Sequence, residues 1–226
     1  MKYIIFTLFY WLICPVKSQS CNCLKDSTLA YSMPSCDTIQ FKNGSLIYWQ
    51  FDCDFAWLTF ETVQGTKEVI DNFDSNLGEL IDKLGLEFEA EYKAGFLMER
   101  PTCSGSDCPM IYQWMNANTG KTEKYFENVI EVYKDSIHHF MINFKDEEWN
   151  SILVFDMDNC DTFEIVLPIK SISMTLNSED DFYLHAWDLF APAAVVNQQL
   201  CLTYQYNERF STGLKQKNSV FLNLKN

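Results

Sequence analysis

The chain has 226 residues, with 31 acidic side chains against 17 basic ones and a formal net charge of −14. A surface this acidic repels phosphate backbones and anionic lipid, so nucleic-acid binding and polybasic membrane attachment are not expected. The length suits one domain with a substantial core, or two small ones.

The N-terminus reads as a signal. Met1 and Lys2 make a short positive start, and Tyr3 to Cys14 is an apolar run of about a dozen residues, shorter than the roughly 20 of a membrane span. Val16 and Ser18 suit the small-residue positions of a cleavage site before Gln19. The expected division is a signal peptide over 1–18 and a single exported β-rich domain over 19–226, with no transmembrane segment once the signal is removed. A lipoprotein anchored at Cys21 is the weaker alternative, because "SQSC" lacks the aliphatic residue such sites carry. The expected location is secreted, or periplasmic or cell-surface in a bacterium. The short signal fits a bacterial exported protein.

Cys14 leaves with the signal. The remaining cysteines are Cys21, Cys23, Cys36, Cys53, Cys103, Cys108, Cys160 and Cys201, an even set that in an exported chain reads as disulfides. "CSGSDC" is short enough to close on itself, pairing Cys103 with Cys108. Cys21, Cys23, Cys36 and Cys53 staple the N-terminal region, which leaves Cys160 to pair with Cys201.

Ser45 to Ile70 is rich in aromatic and β-branched residues and reads as two strands, with a turn at Gln64-Gly65 before a third. Asn43-Gly44-Ser45 is a glycosylation sequon only in a eukaryotic host, and is more simply a turn. Val69, Ile70, Phe73, Leu77, Leu80, Ile81 and Leu84 recur at three- and four-residue spacing. They predict an amphipathic helix over 68–84, with Gly85 as its C-cap. Leu86, Phe88, Ala90 and Tyr92 then alternate with Glu87, Glu89 and Glu91, as in a half-exposed strand.

Pro101 to Pro109 is a loop. From Met110 to Ile169 the pattern predicts one antiparallel β-meander with strands near 110–116, 124–133, 137–144, 151–157 and 163–169. Ser178 to Phe190 can open as a short helix capped by Ser178. The chain closes on a hairpin turning near Ser211 to Gly213. The expected fold class is mainly β or α+β: an antiparallel meander, one packed helix, and disulfide staples.

"MIYQWMNANTGK" (Met110 to Lys121) has a cousin in "SILVFDMDNCDT" (Ser151 to Thr162). Aligning Met115 with Met157, 42 positions apart, pairs Asn116 with Asp158 and Thr119 with Asp161. Strand, Asn/Asp-rich turn, strand resembles a hairpin of a β-propeller blade. The resemblance covers about a quarter of the chain and implies no functional residue. The earlier copy, "WLTFETVQGTK", lies about 55 residues upstream, and a propeller needs several evenly spaced units. The expectation is therefore two hairpins of one sheet rather than two blades.

Chemical motifs are sparse. Asp156, Asp158 and Asp161 invite a calcium loop. Counted from Asp156, however, Cys160, Asp161 and Leu167 fall where a carbonyl or carboxylate ligand, Gly and Glu are required. Zinc needs closely spaced nitrogen or sulfur ligands. His138 and His139 point to opposite faces of a strand, and His185 stands alone. Ser104 and Ser106 have no histidine beside them in sequence, and no nucleophile elbow, HExxH, P-loop or GxGxxG occurs. Glu147-Glu148 and Asp180-Asp181 read as turn or cap acids. No catalytic residue, metal site or cofactor is expected.

Trp49 and Trp57 lie in apolar strands and read as core. Trp149 and Trp187 are flanked by acids and are the candidate exposed ligand-binding aromatics. The expected function is a non-enzymatic exported or surface domain that binds a protein or glycan partner. The alternatives are an exported hydrolase using paired carboxylates and a calcium-dependent structural module. Oligomeric state is left open.

Overall fold

The computed structural model describes residues 36–74, 84–103, 108–146, 149–167, 186–207 and 215–224. Among these residues, four antiparallel sheets follow one another along the chain. The first holds β1 (Thr38–Gln40), β2 (Leu46–Phe51), β3 (Phe55–Glu61) and β4 (Lys67–Asp74). The second holds β5 (Glu87–Glu91), β6 (Phe96–Pro101), β7 (Met110–Met115) and β8 (Thr122–Phe126). The third holds β9 (Val129–Lys134), β10 (His139–Phe144), β11 (Ser151–Asp156) and β12 (Thr162–Val166). The fourth holds β13 (Ala194–Val196), β14 (Gln199–Asn207) and β15 (Lys215–Asn223), preceded by a 3-10 turn at Ala186–Leu189.

Every sheet is an up-and-down meander, and the core lies between consecutive sheets. Phe41, Ile47, Leu58 and Phe60 of the first sheet or its turns pack on Leu86, Phe96, Met98 and Met115 of the second. The other face of the second sheet, with Leu97, Trp114 and Phe126, packs on Met141, Phe155 and Met157. Ile142, Ile152 and Val154 of the third sheet meet Leu200, Leu202 and Tyr204 of the fourth. A sheet buried on both faces needs apolar residues at consecutive positions. That explains unbroken runs such as Phe96-Leu97-Met98 and Phe140-Met141-Ile142, all nearly sealed from solvent.

The mainly-β, antiparallel class is present as expected, with three corrections. First, the helix over 68–84 is not formed at its start: Lys67–Asp74 is a strand on β3, with Ala56 opposite Phe73 and Thr59 opposite Val69. A register shift there leaves Ile70 unpaired. Ile70 and Phe73 pack inward against the first two sheets while Val69 faces solvent. Pairing with β3 outweighs a helical spacing that is only partly used. Residues 75–83 lie outside the described set.

Second, the meander expected as one sheet is two. The strand predicted at 124–133 breaks at Asn128, whose φ of 52° turns the chain from β8 into β9. The two hairpins therefore sit in separate sheets, each as the third and fourth strands. Successive four-stranded meanders packed face to face are arranged as propeller blades are.

Third, the register of the two turns differs by 40 residues, not 42. Asn116 N–H donates to Lys121 O at 3.0 Å, and Asp156 N–H donates to Asp161 O at 2.8 Å. Thr122 pairs with Met115 as Thr162 pairs with Phe155.

Cys103 and Cys108 form the expected disulfide, and Cys36 and Cys53 are each disulfide-bonded. Cys21 and Cys23 lie outside the described residues. Cys160 and Cys201 are free thiols, against the expected pairing. Cys160 occupies the β11–β12 turn, while Cys201 sits within β14 with its Sγ 3.8 Å from Thr203 Oγ1.

Candidate functional site

Turns joining first to second and third to fourth strands all emerge at one end of their sheets, and at that end three sheets are tied together. In the first sheet, Phe41 to Ser45 forms a tight turn with Gly44 at φ 88°. Asn43 Oδ1 accepts the Ser45 N–H at 2.9 Å, which fixes the side chain. Its Nδ2 then donates to Ala117 O at 2.6 Å and Asn118 Oδ1 at 3.2 Å, in the β7–β8 turn. The sequon amide is thus occupied in joining two sheets. Lys42 N–H adds a bond to Glu91 Oε1 at 3.0 Å.

Asp158 makes the corresponding tie between second and third sheets. It follows β11 in a turn that Asp156 organises, Asp156 Oδ1 accepting the N–H groups of Asp158 and Asn159. Asp158 Oδ1 accepts the Lys93 N–H at 3.4 Å, and Oδ2 lies 2.6 Å from His139 Nδ1. A carboxylate at Nδ1 places the ring hydrogen there, so a neutral His139 keeps Nε2 as an acceptor. The Tyr92 ring meets His139 edge-on, with centroids 5.4 Å apart.

These groups border a cleft of about 570 Å³, with Lys42, Glu91, Lys93, Asn118, His139 and Asp158 in its walls. A second cleft of about 550 Å³ shares Lys93 and Asp158 and extends past His138, Asp156 and Phe163. Among the described residues, neither wall carries a Ser, Thr or Cys. His138 precedes β10 in the turn from β9, bonded to Asp135, whereas His139 is bonded to Asp158.

Tyr92 forms the base of the site. It is only 7% exposed, and its hydroxyl has no hydrogen-bond partner. Burial pushes its phenol up to about 12, with Glu89, Asp158 and Glu99 adding to the shift. Burial also raises the Glu99 carboxyl, helped by Glu89, and raises the Tyr112 phenol, whose hydroxyl hydrogen-bonds Glu99.

The aromatics expected to form a ligand face are elsewhere. Trp149 sits in the β10–β11 turn, at the far end of the third sheet, with φ 54° and its ring 6.4 Å from Phe144. It is half-buried against the core rather than exposed. Trp187 belongs to the 3-10 turn, and its side chain lies outside the described residues, as do Ser104, Ser106, Glu147, Glu148, Asp180, Asp181 and His185. Among the described residues, no group of three or more His, Cys, Asp or Glu is placed to hold a metal. Asp156 is held by its own turn, its Oδ2 also accepting from Asn159 Nδ2 at 2.9 Å.

Asn43, Tyr92, Lys93 and the His139–Asp158 pair were missed as a constellation. The signal that finds them is the 40-residue repeat of turn chemistry, which sets Asp158 in a turn beside the preceding sheet.

The class defined by the described residues is a mainly-β, antiparallel arrangement of successive meander sheets with a polar cleft at their turn ends. No family model, curated protein or solved structure matches the chain.

Proposed function

We propose that the chain is an exported binding module, not an enzyme, and that it takes a protein or glycan partner on the turn-bearing end of its first three sheets. The observation that carries this reading is Asp158. It holds both the Lys93 backbone and the His139 ring, so a donor and acceptor array from separate sheets is pre-positioned around an open cleft. Mixed amide, ammonium, carboxylate and imidazole groups suit a polar ligand. A histidine oriented by a carboxylate also occurs in hydrolases, but nucleophilic catalysis would need a third group, which the described residues of the cleft walls do not supply. Export is supported by the signal-like N-terminus and by the Cys103–Cys108 disulfide. No helix among the described residues is long and apolar enough to cross a membrane.

The protein should be displayed against arrays of glycans and of extracellular proteins, beside a Lys93→Ala/Asn118→Ala variant. Partners of the wild type should bind the variant at least about tenfold more weakly, a loss of about 1.4 kcal/mol, with stability lowered only by the lost Asn43–Asn118 hydrogen bond, about 1 kcal/mol. Unaltered binding would place the partner surface elsewhere. Turnover in a broad hydrolase screen, abolished by Asp158→Asn, would make the chain an enzyme. Recovery of tagged full-length protein in the cytoplasm with its N-terminus uncleaved would remove the export reading.

A further inference from the structure

The first and fourth sheets differ on the faces turned away from their neighbours. On the first sheet, Ile47, Leu58 and Phe60 pack toward the second, so Tyr48 and Thr59 face away from it. Both are nonetheless sealed, at 3% and 2% exposed. On the fourth sheet, Leu200, Leu202 and Tyr204 pack toward the third, so Cys201 and Thr203 face away, with their strand partners Phe221 and Ser219. Val196 shares that side, because its neighbour Val195 packs inward. This face is open. Phe221 is 59% exposed, Val196 is 54% exposed, and the free thiol of Cys201 is half-buried between them.

Two features suit the open face to being covered. Its polar side chains are already paired with one another. Gln199 Nε2 donates to Asn223 Oδ1 at 2.6 Å, and Thr203 Oγ1 lies 2.9 Å from Ser219 Oγ. Covering them leaves these bonds intact, so little hydrogen bonding is lost with the water. Its charge is also unlike that of the rest of the chain. The three strands read AVV, QLCLTYQYN and KQKNSVFLN, without Asp or Glu, in a chain of net charge −14. Each of the other sheets carries acids on its strands, as the third does with Glu131, Asp156 and Glu164.

We propose that the outward face of the fourth sheet is a homodimer interface, covered by the same face of a second copy across a two-fold axis. Charge selects this occupant. Two copies of an acidic chain repel wherever their carboxylates oppose each other, and the strands of this sheet bring none. A two-fold contact needs one patch that complements itself. Lys217 lies toward the other end of β15 from Asn223. A two-fold near Cys201 with antiparallel strands therefore holds the two ammonium groups apart. The sealed Tyr48 and Thr59 argue against stacking the fourth sheet of one copy on the first sheet of the next, so the contact closes at two copies. Strands nine residues long and about 4.8 Å apart give a face of roughly 400 Å² per copy. That area belongs to a weak, concentration-dependent dimer rather than an obligate one. The interface is separate from the turn-end cleft and does not depend on what that cleft binds.

Sedimentation velocity of the full chain tests this, under reducing conditions and from about 1 μM to about 500 μM, a range that brackets a weak dimer. The dimer fraction should rise across the range. Phe221→Asp sets a carboxylate into the face and should weaken association at least about tenfold. Tyr125→Asp, at a side chain 66% exposed on the second sheet, should leave it unchanged. Both positions are exposed, so both variants should keep the wild-type circular dichroism. Thiol labelling gives a second reading. Cys201 should react several-fold more slowly in concentrated than in dilute protein, while Cys160, exposed in the β11–β12 turn, should react at one rate in both. Monomer alone at every concentration, a dimer indifferent to Phe221→Asp, or equal weakening by the two variants would overturn the interface. So would Cys201 labelling that does not slow in protein that has dimerised.

Discussion

The second and third sheets are built to one plan, and they differ where the preceding sheet presses on them. In both, a side-chain oxygen opens the third-to-fourth turn. Asn116 Oδ1 accepts the N–H groups of Asn118 and Thr119, as Asp156 Oδ1 accepts those of Asp158 and Asn159. Both turns then need a left-handed residue four positions on, filled by Gly120 at φ 68° and by Cys160 at φ 61°. A Cβ on Gly120 would stand 2.4 Å from Phe60 Cδ1 of the first sheet. Cys160 is exposed, and the Trp114 indole N–H is buried without a hydrogen-bond partner. One backbone turn therefore admits glycine alone where it abuts a buried ring, and a side chain where it has room.

The largest break of this symmetry is Gly120→Ala. Left-handed strain and the Phe60 clash act together, so a loss of about 3 kcal/mol is expected. For a chain of this size that lowers the melting temperature by about 6–12 °C, readable by thermal denaturation. A loss below about 1 kcal/mol would mean that the turn moves off Phe60 freely. Next come the turn-opening oxygens. Asp156→Ala should cost about 1.5–2 kcal/mol and Asn116→Ala about 1, because the carboxylate is the stronger acceptor and also holds Asn159 Nδ2. Equal costs from chemical denaturation would show that the charge adds nothing at an exposed turn.

How far these features were legible follows from how local they are. The Asn/Asp-rich turns, Gly65 and the Cys103–Cys108 loop are set by neighbours within a few residues, and sequence patterning found them. Sheet membership was not legible. Only Asn128, with its positive φ, parts β8 from β9, and asparagine occurs in many contexts. Nor was the bulge at Glu89, left unpaired between Phe88 opposite Met98 and Ala90 opposite Leu97, since regular alternation from Leu86 to Tyr92 continues through it. The site suffered most. His139 and Asp158 are 19 positions apart and meet only through the pairing of β10 with β11, and Asn43 and Asn118 are 75 apart, joined only once sheets stack. Trp149 misled because flanking acids suggested exposure, while its positive-φ turn folds the ring back on Phe144.

Cys160→Gly should act oppositely to Gly120→Ala, on the same turn position. Relief of left-handed strain outweighs the greater backbone freedom that glycine has in the unfolded chain, so a gain of about 0.5–1 kcal/mol is expected. Destabilisation in denaturant titrations would show instead that packing of the Cys160 side chain holds this turn.

The smallest effects separate the sheets by pH. Burial raises the Glu99 carboxyl on the second sheet, so the folded chain holds that proton more tightly than the unfolded chain. Stability from this group is then complete below the ordinary carboxylate value and is lost as pH rises through the raised one. On the third sheet the Glu164 carboxyl is lowered, first by its hydrogen bond to Lys145 Nζ at 2.9 Å and then by Ser151. Its contribution has the other sign, present above the ordinary value and lost as pH falls. Glu99→Gln should therefore raise the melting temperature at pH 7, and Glu164→Gln should lower it slightly. Both differences should close below about pH 4, where carboxylates take up protons. If Glu99→Gln lowers the melting temperature at neutral pH, the Tyr112 hydroxyl bonded to the Glu99 carboxylate outweighs its burial. The polar face of the second sheet would then be a stabilising network around Glu99, rather than a cost of burying its carboxyl.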